Sequence, residues 1–456
     1  MVSFDDVVSL MKRRGFVFPG SDLYGGLANT YDYGPAGVEL LRNIKNLWWN
    51  EFVTKRPDMV GIDASLISHH KIWEASGHVG GFADAMVDCK NCKTRMRADH
   101  LIEDFSHKNV EGFTTDQLDE IIRTDKVPCP KCGKVGMWTA VRKFNLLFPV
   151  QLGIVEGDQS QAYLRGETAQ GMFINFKNVM DSTRVKLPFG IAQLGKSFRN
   201  EITLGNSVFR TIEFEQGEIE YFMRPPKTDE EWLVPYQEWK NAMWDFVTNK
   251  LGITQENLRW RVHSDEERSF YSKRTEDLEY NFPFGGFKEL WGLAYRTDYD
   301  LSQHIKFSGK DLTVMDPQTG QRFTPHVIEP AVGISRLFLM ILCDCYRVDN
   351  EKKRIVLALP KHLAPYKAAV FPLLANKEEL VHKAKEVFTL LSQNMHVAWD
   401  DRGNIGKRYL SQDEIGTPAC VTIDFQTLED NSVTVRDRDT AHQKRVTIDE
   451  LKGILL

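Results

Sequence analysis

QLGKSFRNEITLGNSVFRTIEFEQGEIEY, running from Gln193 to Tyr221, is the stretch whose reading decides the fold. Gln193, Ser197, Arg199 and Glu201 fall on one face of a period-2 strand, and Leu194 and Phe198 fall on the other, the alternation of a half-buried strand. Gly205-Asn206, inside 204–207, is a turn signal. Over 210–223 the alternation resumes, with Phe214, Gln216 and Glu218 on one face and Glu213, Glu215 and Ile219 on the other. The pattern predicts an antiparallel hairpin whose working surface carries an arginine, an aromatic ring and several carboxylates. An arginine fork suits phosphate oxygens, an aromatic face suits a purine, and glutamates suit an ammonium group. A solvated sheet face laced with cross-strand ion pairs is the plain alternative.

On the N-terminal side, Glu167 stands in LRGETAQG ahead of an apolar stretch at 172–179, the ordinary place for a helix N-terminal charge, with Arg165 its nearest basic neighbour. On the C-terminal side, KELWGLA (288–294) reads as a strand with Glu289 beside apolar residues, and Arg296 and Asp298 follow it. Residues 312–325 hold the turn-rich DPQTG and read as an excursion hairpin. His326 to Gly333 then feeds a helix over 334–346, with Ile334, Leu337, Phe338, Ile341 and Leu342 as its apolar stripe and Arg336 in its first turn. Small residues at Ala331 and Gly333 allow close backbone approach.

Further out, Ser3-Phe4-Asp5-Asp6 is a capping-box-like start to a short helix ending near Gly15. After YDYGPAG (31–37), Leu40, Leu41, Ile44, Leu47 and Trp48 form a helical stripe suited to core or subunit interface, and 59–68 reads as a strand. Residues 229–251 predict a surface helix packed through Trp232, Trp239, Met243, Trp244 and Val247. Cys89, Cys92, Cys129 and Cys132 form two CxxC pairs, the second as CPKCG. That arrangement suits a closed four-thiolate structural zinc site; four reduced cysteines without metal are the alternative. A helix is expected over 115–124 between the pairs, and Arg97-Ala98-Asp99-His100 is a polar cluster. Lys352-Lys353-Arg354 marks a linker, after which strands at 355–358, 396–398, 420–424, 432–435 and 444–448 and a helix at 378–392 predict a compact α/β domain.

The chain has 456 residues, 42% hydrophobic and 27% charged, enough for two or three domains. A net charge of −5 does not announce a nucleic-acid binder, so any RNA contact has to come from local basic patches. The segment from Lys352 onward carries 16 Lys and Arg against 14 Asp and Glu and is slightly basic. Seven cysteines, four of them paired, fit a reducing compartment. Neither a signal peptide nor an apolar run long enough for a bilayer is evident, so a soluble cytoplasmic protein with no membrane partner is expected.

Phe198-Arg199-Asn200-Glu201, then Phe209-Arg210 and Glu213-Phe214-Glu215-Gln216, resembles motif 2 of the class II aminoacyl-tRNA synthetases in the form carried by the glycine-specific enzymes. The resemblance recurs at ETAQG (167–171), RTDYD (296–300), EPAVGISR (329–336) and DDRGNIGKRY (400–409). It implies an α+β fold, a class II antiparallel sheet flanked by helices, with a C-terminal α/β anticodon-binding domain. The implied domains are 1–350, holding motif 1 near 38–70, motif 2 at 193–221 and motif 3 at 327–346; a Cys-containing insertion at 85–150; and 351–456. The proline usual in motif 1 is not evident, and His69-His70 stand in its place.

The implied reaction joins glycine and ATP into glycyl-adenylate and pyrophosphate, then passes glycine to the 3′-terminal ribose of tRNA(Gly). Catalysis would be positioning and charge stabilisation by Arg199, Glu201 and Arg336, without an enzyme nucleophile. Arg199 is implied on the α-phosphate, Phe214 and Arg336 on the adenine, Glu201 on the nucleotide and Glu289 on Mg²⁺. Asn200, Phe209, Arg210, Thr211, Ile212, Glu213, Leu290, Gly333, Ile334 and Ser335 complete the ATP site. Arg97, Glu167, Phe214, Glu215, Gln216, Gly217, Glu218, Glu329, Pro330, Ala331, Val332 and Gly333 line the glycine side, with Arg296 for the carboxylate. Ala331 stands where glycine enzymes commonly carry serine. A homodimer is expected, and Lys407, Arg408, Arg436 and Arg438 are candidate RNA contacts, a surface salt-bridged to Asp400, Asp401, Asp437 and Asp439 being their alternative. The competing readings are a synthetase for another small amino acid and a non-catalytic accessory subunit of the same fold.

Overall fold

The computed structural model describes residues 3–106, 108, 110, 113–153, 160–201, 205–265, 268 and 272–455. Its centre is a seven-stranded sheet made of β1 (Met59–Gly61), β2 (Phe189–Phe198), β3 (Glu213–Met223), β4 (Leu258–Val262), β5 (Arg274–Phe282), β6 (Gly286–Thr297) and β7 (His326–Gly333). The spatial order is β4-β5-β6-β7-β3-β2-β1, antiparallel throughout except where β1 joins β2. Six helices frame it: α1 (Phe4–Arg13), α2 (Pro35–Trp49), α3 (Ala169–Ser182), α4 (Asp229–Asp245), α5 (Tyr299–Ser308) and α6 (Ile334–Cys345).

The period-2 alternation gives the sheet two unlike faces. Ile219, Tyr221, Leu278, Leu293, Tyr295, Ile328 and Val332 share one large core with α1, α2, α4 and α6. The opposite face is polar, and α3 and α5 close only one end of it, where Phe173 and Phe176 pack against Phe189 and Phe222. The remainder of that face is open to a cavity. Pro330 lies in central strand β7, where proline has no N–H for the ladder. The β3–β7 pairing accordingly lapses between Ala331 and Ile328, while the other edge keeps Pro330 opposite Leu293.

Most expected elements form, with instructive differences. The hairpin runs from Phe189 opposite Phe222 to Phe198 opposite Glu213. Its first strand ends at Phe198, so Arg199 and Glu201 stand beyond the strand on the connection. Of the predicted turn, Leu204 lies outside the described residues, and Asn206 and Ser207 take φ of 56° and 57°. The single strand expected at 59–68 is two short ones, β1 and Ile67–His69, the second pairing with Ser160–Leu164. The α2 stripe is spent inside this chain: Leu40, Leu41, Ile44 and Trp48 are buried in its core and provide no subunit face.

Residues 352–354 are not a linker. Tyr346–Asp349 and Arg354–Leu357 pair as an antiparallel hairpin with a tight turn between them. A five-stranded sheet follows, ordered Val397–Trp399, Ala368–Pro372, Ala419–Ile423, Ser432–Asp437, Gln443–Thr447, with the first three strands parallel. Its Ala368–Pro372 strand and the helices Ile405–Ile415 and Phe425–Asp430 were absent from the sequence reading.

The cysteine insertion has a small core of its own, in which Val87, Leu101, Ile102, Leu118, Ile122, Val127 and Trp138 surround Cys89 and Cys129. The helix expected at 115–124 is present, with a full capping box between Thr114 and Gln117.

Candidate active site

The open polar face of the sheet floors a cavity of about 370 Å³, within the range of small-ligand sites. Strand alternation sends Phe214, Gln216 and Glu218 of β3 and Glu329, Ala331 and Gly333 of β7 to its lining, with Gly292 of β6 beyond β7, opposite Ala331. Arg199, Glu201 and Arg210 enter from the β2–β3 connection, Arg336 from the first turn of α6, Asp84 from the strand that leads into the insertion, and Arg97 from the insertion itself. Leu290, Val332 and Ile334 turn their side chains into the core on the other face. Of the three, only Val332 reaches the cavity wall. Glu215 likewise pairs with Lys45 of α2 at 2.9 Å, and its N–H donates to the Ser335 hydroxyl.

Two chemistries occupy opposite ends. At one end arginines meet aromatic rings. The Arg199 guanidinium lies between the rings of Phe82 and Phe214, 5.0 and 5.3 Å from their centroids, while its Nε donates to the Gly166 carbonyl at 3.0 Å. Arg336 lies 4.6 Å over the Phe209 ring and 3.0 Å from the Glu289 carboxylate. That arginine holds the Glu289 carboxyl below the usual range. Glu201 and Arg210 approach to 4.0 Å, and Lys196 pairs with Glu213 at the rim.

At the other end buried carboxyls converge. Glu167 meets His78 at 3.2 Å and accepts from Gln170 at 3.0 Å. Glu218 accepts from the Thr168 N–H at 2.8 Å and from the Gln216 amide. Arg296, 2% exposed, is gripped by Asp300 at 2.8 and 2.9 Å and by Glu329 at 2.9 and 3.0 Å. The guanidinium that sequence reading offered to a substrate carboxylate is therefore turned onto two protein carboxyls. Glu220 lies beneath, fully buried, with neither carboxyl oxygen hydrogen-bonded.

Five carboxyls around Arg296 cannot all ionise cheaply in a site from which water is largely excluded. Burial pushes Glu167 up, but His78 and Arg296 outweigh it and hold that carboxyl well below its usual range. Burial and the charge of Glu167 push Glu218 up to about 7. Burial, against the pull of Arg296 and helped by Glu218 and Glu167, raises Glu329 to about 8. Glu220 is raised well above its usual range by burial and by Glu329. Glu218, Glu220 and Glu329 are thus the carboxyls of this corner that bind a proton most readily.

Gly195 shows how closely this face is packed, since a Cβ there would come within 2.3 Å of the Arg165 guanidinium. Arg165 donates to the carbonyls of Ala64 and Lys196 at 2.7 Å each, and it is the His78 imidazole that stands beside Glu167. His78 was missed in the sequence. Its only local signal is its place in the glycine-rich GHVGG. Thr168, Gln170 and Phe82 were missed likewise, because their roles depend on contacts across the fold.

The four cysteine Sγ atoms lie within 4.8 Å of one another, with Cys89–Cys132 at 3.8 Å and Cys92–Cys129 at 3.6 Å. Tetrahedral zinc with bonds of about 2.3 Å sets its sulfurs about 3.8 Å apart, so the donor set fits. Lys93 and Gly133 take φ of 60° and 69° in the two knuckles, and each N–H donates back to the first cysteine's carbonyl.

The candidate RNA contacts divide. Lys407 is exposed, but Arg408, Arg436 and Arg438 are 2%, 5% and 3% exposed. Arg408 donates to the carbonyls of Pro372, Asp401, Arg402 and Gly403. Arg436 forks onto Asp413 at 2.7 and 2.8 Å, and Arg438 pairs with Asp439 and with the carbonyls of Leu359 and Gly416. These three arginines hold the domain together and are withdrawn as RNA contacts. No helix among the described residues is long and apolar enough to cross a membrane.

Residues 367–456 match the family described as anticodon binding domain. Over nearly its whole length the chain is similar to proteins named glycine–tRNA ligase. It is 52% identical to that of Clostridium tetani, covering 98% of this chain and 97% of the relative. It is 50% identical to that of Clostridium perfringens, covering 99% and 98%, and 50% identical to that of Caldanaerobacter subterraneus, covering 100% and 98%.

Proposed function

Since the chain belongs to the glycine–tRNA ligases, we propose that the cavity on the polar face of its sheet is where glycine and ATP react, with the carboxyl-lined end taking the amino acid and the arginine end the nucleotide. The enzyme is an ATP-dependent ligase that charges tRNA(Gly) with glycine through an aminoacyl-adenylate. The observation that carries the assignment of ends is the convergence of Glu167, Glu218 and Glu329 on one buried corner beside Ala331 and Gly292.

The glycine ammonium takes the place of the corner's protons and adds positive charge beside Glu167, Glu218 and Glu329. Its carboxylate is thereby directed toward the Arg199 end, where the α-phosphate sits. Arg199 is braced by Gly166 and two rings, so its fork is pre-aimed at phosphate oxygens, where negative charge grows as the carboxylate attacks. The adenine stacks between Phe214 and Arg336, and Glu201 fixes the nucleotide edge near Arg210. Arg97, Thr211 and Ser335 line this space, and Asn200, Ile212 and Glu213 stand at the two ends of the connection that carries Arg210. Arg296 acts on the amino acid through Glu329, which it orients, and Gln170 does the same for Glu167. In the second step the terminal ribose hydroxyl of tRNA attacks the glycyl carbonyl and adenylate leaves.

Discrimination follows from shape. A buried corner with three carboxyls around one ammonium leaves no volume for a side chain, and steric exclusion is harsher than the loss of one methylene, which is worth only about 1–3 kcal/mol.

A magnesium ion on the ATP phosphates fits Glu289, a hard oxygen donor at the nucleotide end, although Arg336 must first release it. Such an ion supplies charge neutralisation to departing pyrophosphate. The insertion's four thiolates fit a structural zinc. A homodimer in the cytoplasm accords with the family; since the α2 stripe is internal, any dimer contact must use other surface.

The test is amino-acid-dependent ATP–pyrophosphate exchange across the twenty amino acids, with Arg199→Ala as control, followed by charging of tRNA(Gly). Exchange with glycine alone, lost in the control, is the expected result. Exchange driven best by alanine, proline or threonine would overturn the assignment of the carboxyl corner.

A further inference from the structure

Asp84 stands on the strand that leads into the insertion and lines the same cavity as Arg199, Glu201 and Arg336. It lies on the strand Ala83–Asp88, opposite Phe144 of the neighbouring strand, and is 8% exposed. Its Oδ1 is 3.1 Å from Arg97, whose remaining nitrogens are occupied by Asp99 at 3.1 and 2.5 Å. Its Oδ2 is buried and accepts no hydrogen bond. A buried carboxylate oxygen without a donor is costly and calls for an explanation, and one that faces a substrate cavity is explained by a donor on the substrate.

The chemistry of the cavity restricts that partner. Phosphate oxygens are acceptors and anionic, so they meet Arg199 and are repelled by Asp84. The ammonium of glycine has Glu167, Glu218 and Glu329 at the opposite end. The adenine is held by Phe214 and Arg336, and the donors of its exocyclic amine fall to Glu201 at the nucleotide edge. The donors left among the reaction's substrates are ribose hydroxyls. We propose that Asp84 is a further substrate-binding residue, whose buried Oδ2 accepts a hydrogen bond from a ribose hydroxyl, that of ATP or that of the terminal nucleoside of tRNA. Arg97 is then the positioning residue that fixes the carboxylate from behind, and the cysteine knuckle at the other end of the same strand holds the pair in place.

This inference rests on the reading of the cavity as the adenylate site, and one experiment separates the two. Wild-type enzyme, Asp84→Ala and Asp84→Asn are compared in glycine-dependent ATP–pyrophosphate exchange with ATP and with 2′-deoxy- and 3′-deoxy-ATP. They are compared again in single-turnover transfer from enzyme-bound glycyl-adenylate to tRNA ending in adenosine or in the deoxy analogue that keeps the attacking hydroxyl. A hydrogen bond to a charged acceptor is worth about tenfold or more. Asp84→Ala is expected to lose about that factor in one arm, and the matching deoxy substrate is expected to be equally poor with wild type and variant. Loss in the exchange arm assigns the ATP ribose, and loss in the transfer arm assigns the tRNA ribose. Asp84→Asn, which keeps the shape, should lose less while melting at the wild-type temperature.

Equal losses for ribo and deoxy substrates, or changes within about twofold in both arms, would overturn the proposal while leaving the adenylate site intact. Absence of glycine-dependent exchange in the wild type would overturn both.

Discussion

Glu218 and Glu329 are the carboxyls of the buried corner that bind protons most readily, and on the function proposed above the glycine ammonium competes with those protons. Their carboxyls are raised by burial, to about 7 and about 8. A group raised in the folded state contributes stability that is complete below the ordinary carboxylate range and is lost as pH climbs through the raised value. The unliganded enzyme should therefore melt at progressively lower temperature from about pH 5 to about pH 8, and the increase in melting temperature produced by glycine should grow over the same window. Correspondingly, the glycine KM in pyrophosphate exchange should fall by up to about tenfold per pH unit below about 7, as one proton is displaced, and Glu218→Gln should flatten that limb. A glycine KM independent of pH would contradict this account. Gly292 is a second test at the same scale. A Cβ there would meet Asp277 Oδ1 at 3.7 Å and the Ala331 carbonyl at 3.9 Å, ordinary contact distances. Gly292→Ala should fold with an unchanged melting temperature, yet it places a methyl in the cavity. A KM raised about tenfold for glycine or ATP is expected, at the scale of one methyl forced into a fitted pocket.

The elements were legible where periodicity carries the information. The alternation of Phe214, Gln216 and Glu218 against Ile219 gave β3 because a half-buried strand has only two faces. The α2, α4 and α6 stripes gave helices for the same reason. What periodicity cannot give is whether a charged residue at the end of an element points outward. Arg408, Arg436 and Arg438 stand among aspartates, and on pattern alone an exposed basic strip and a buried ion cluster look alike; Asp413, the residue that decides it, lies 23 positions from Arg436. Likewise His78 is 89 residues from Glu167, a distance over which local spacing says nothing. The strand Ala368–Pro372 was missed because its buried run is short and carries proline at its end. The insertion supports its own prediction. Its core is small and separate, so its fold should depend on the metal, as metal binding and folding are one equilibrium in small thiolate sites. One zinc per chain is expected by mass spectrometry of the metal content. Cys132→Ser should abolish it and open 85–150 to proteolysis, while the far larger core beneath the seven-stranded sheet stays intact.

Across the whole molecule, the catalytic sheet and the C-terminal domain are joined by charge. Arg13, the last residue of α1, and Arg14 just after it reach Glu414 at 3.0 and 2.5 Å, and Arg14 also donates to Ser411 at 2.9 Å. Deeper in, Arg354 donates to Asp349 and Asp413 at 2.9 Å each and to the carbonyls of Arg438 and Asp439. Asp413, fully buried, serves Arg354 and Arg436 together. Removing it leaves two buried guanidiniums short of a counterion, a change worth about 3–5 kcal/mol. Asp413→Ala should lower the melting transition of the C-terminal domain and cut tRNA charging, while glycine-dependent pyrophosphate exchange stays near wild type; equal loss of both activities would show that the domains are not separable in function. The hairpin of 346–357 has a consequence for the history of such chains. One of its strands continues directly from the motif 3 helix, and the other begins with the arginine that clasps the C-terminal domain. A recombination that exchanged anticodon-binding domains between synthetases by cutting at 350 would pass through the middle of the graft union, so productive shuffling has to carry the hairpin and Asp413 together as one heritable unit.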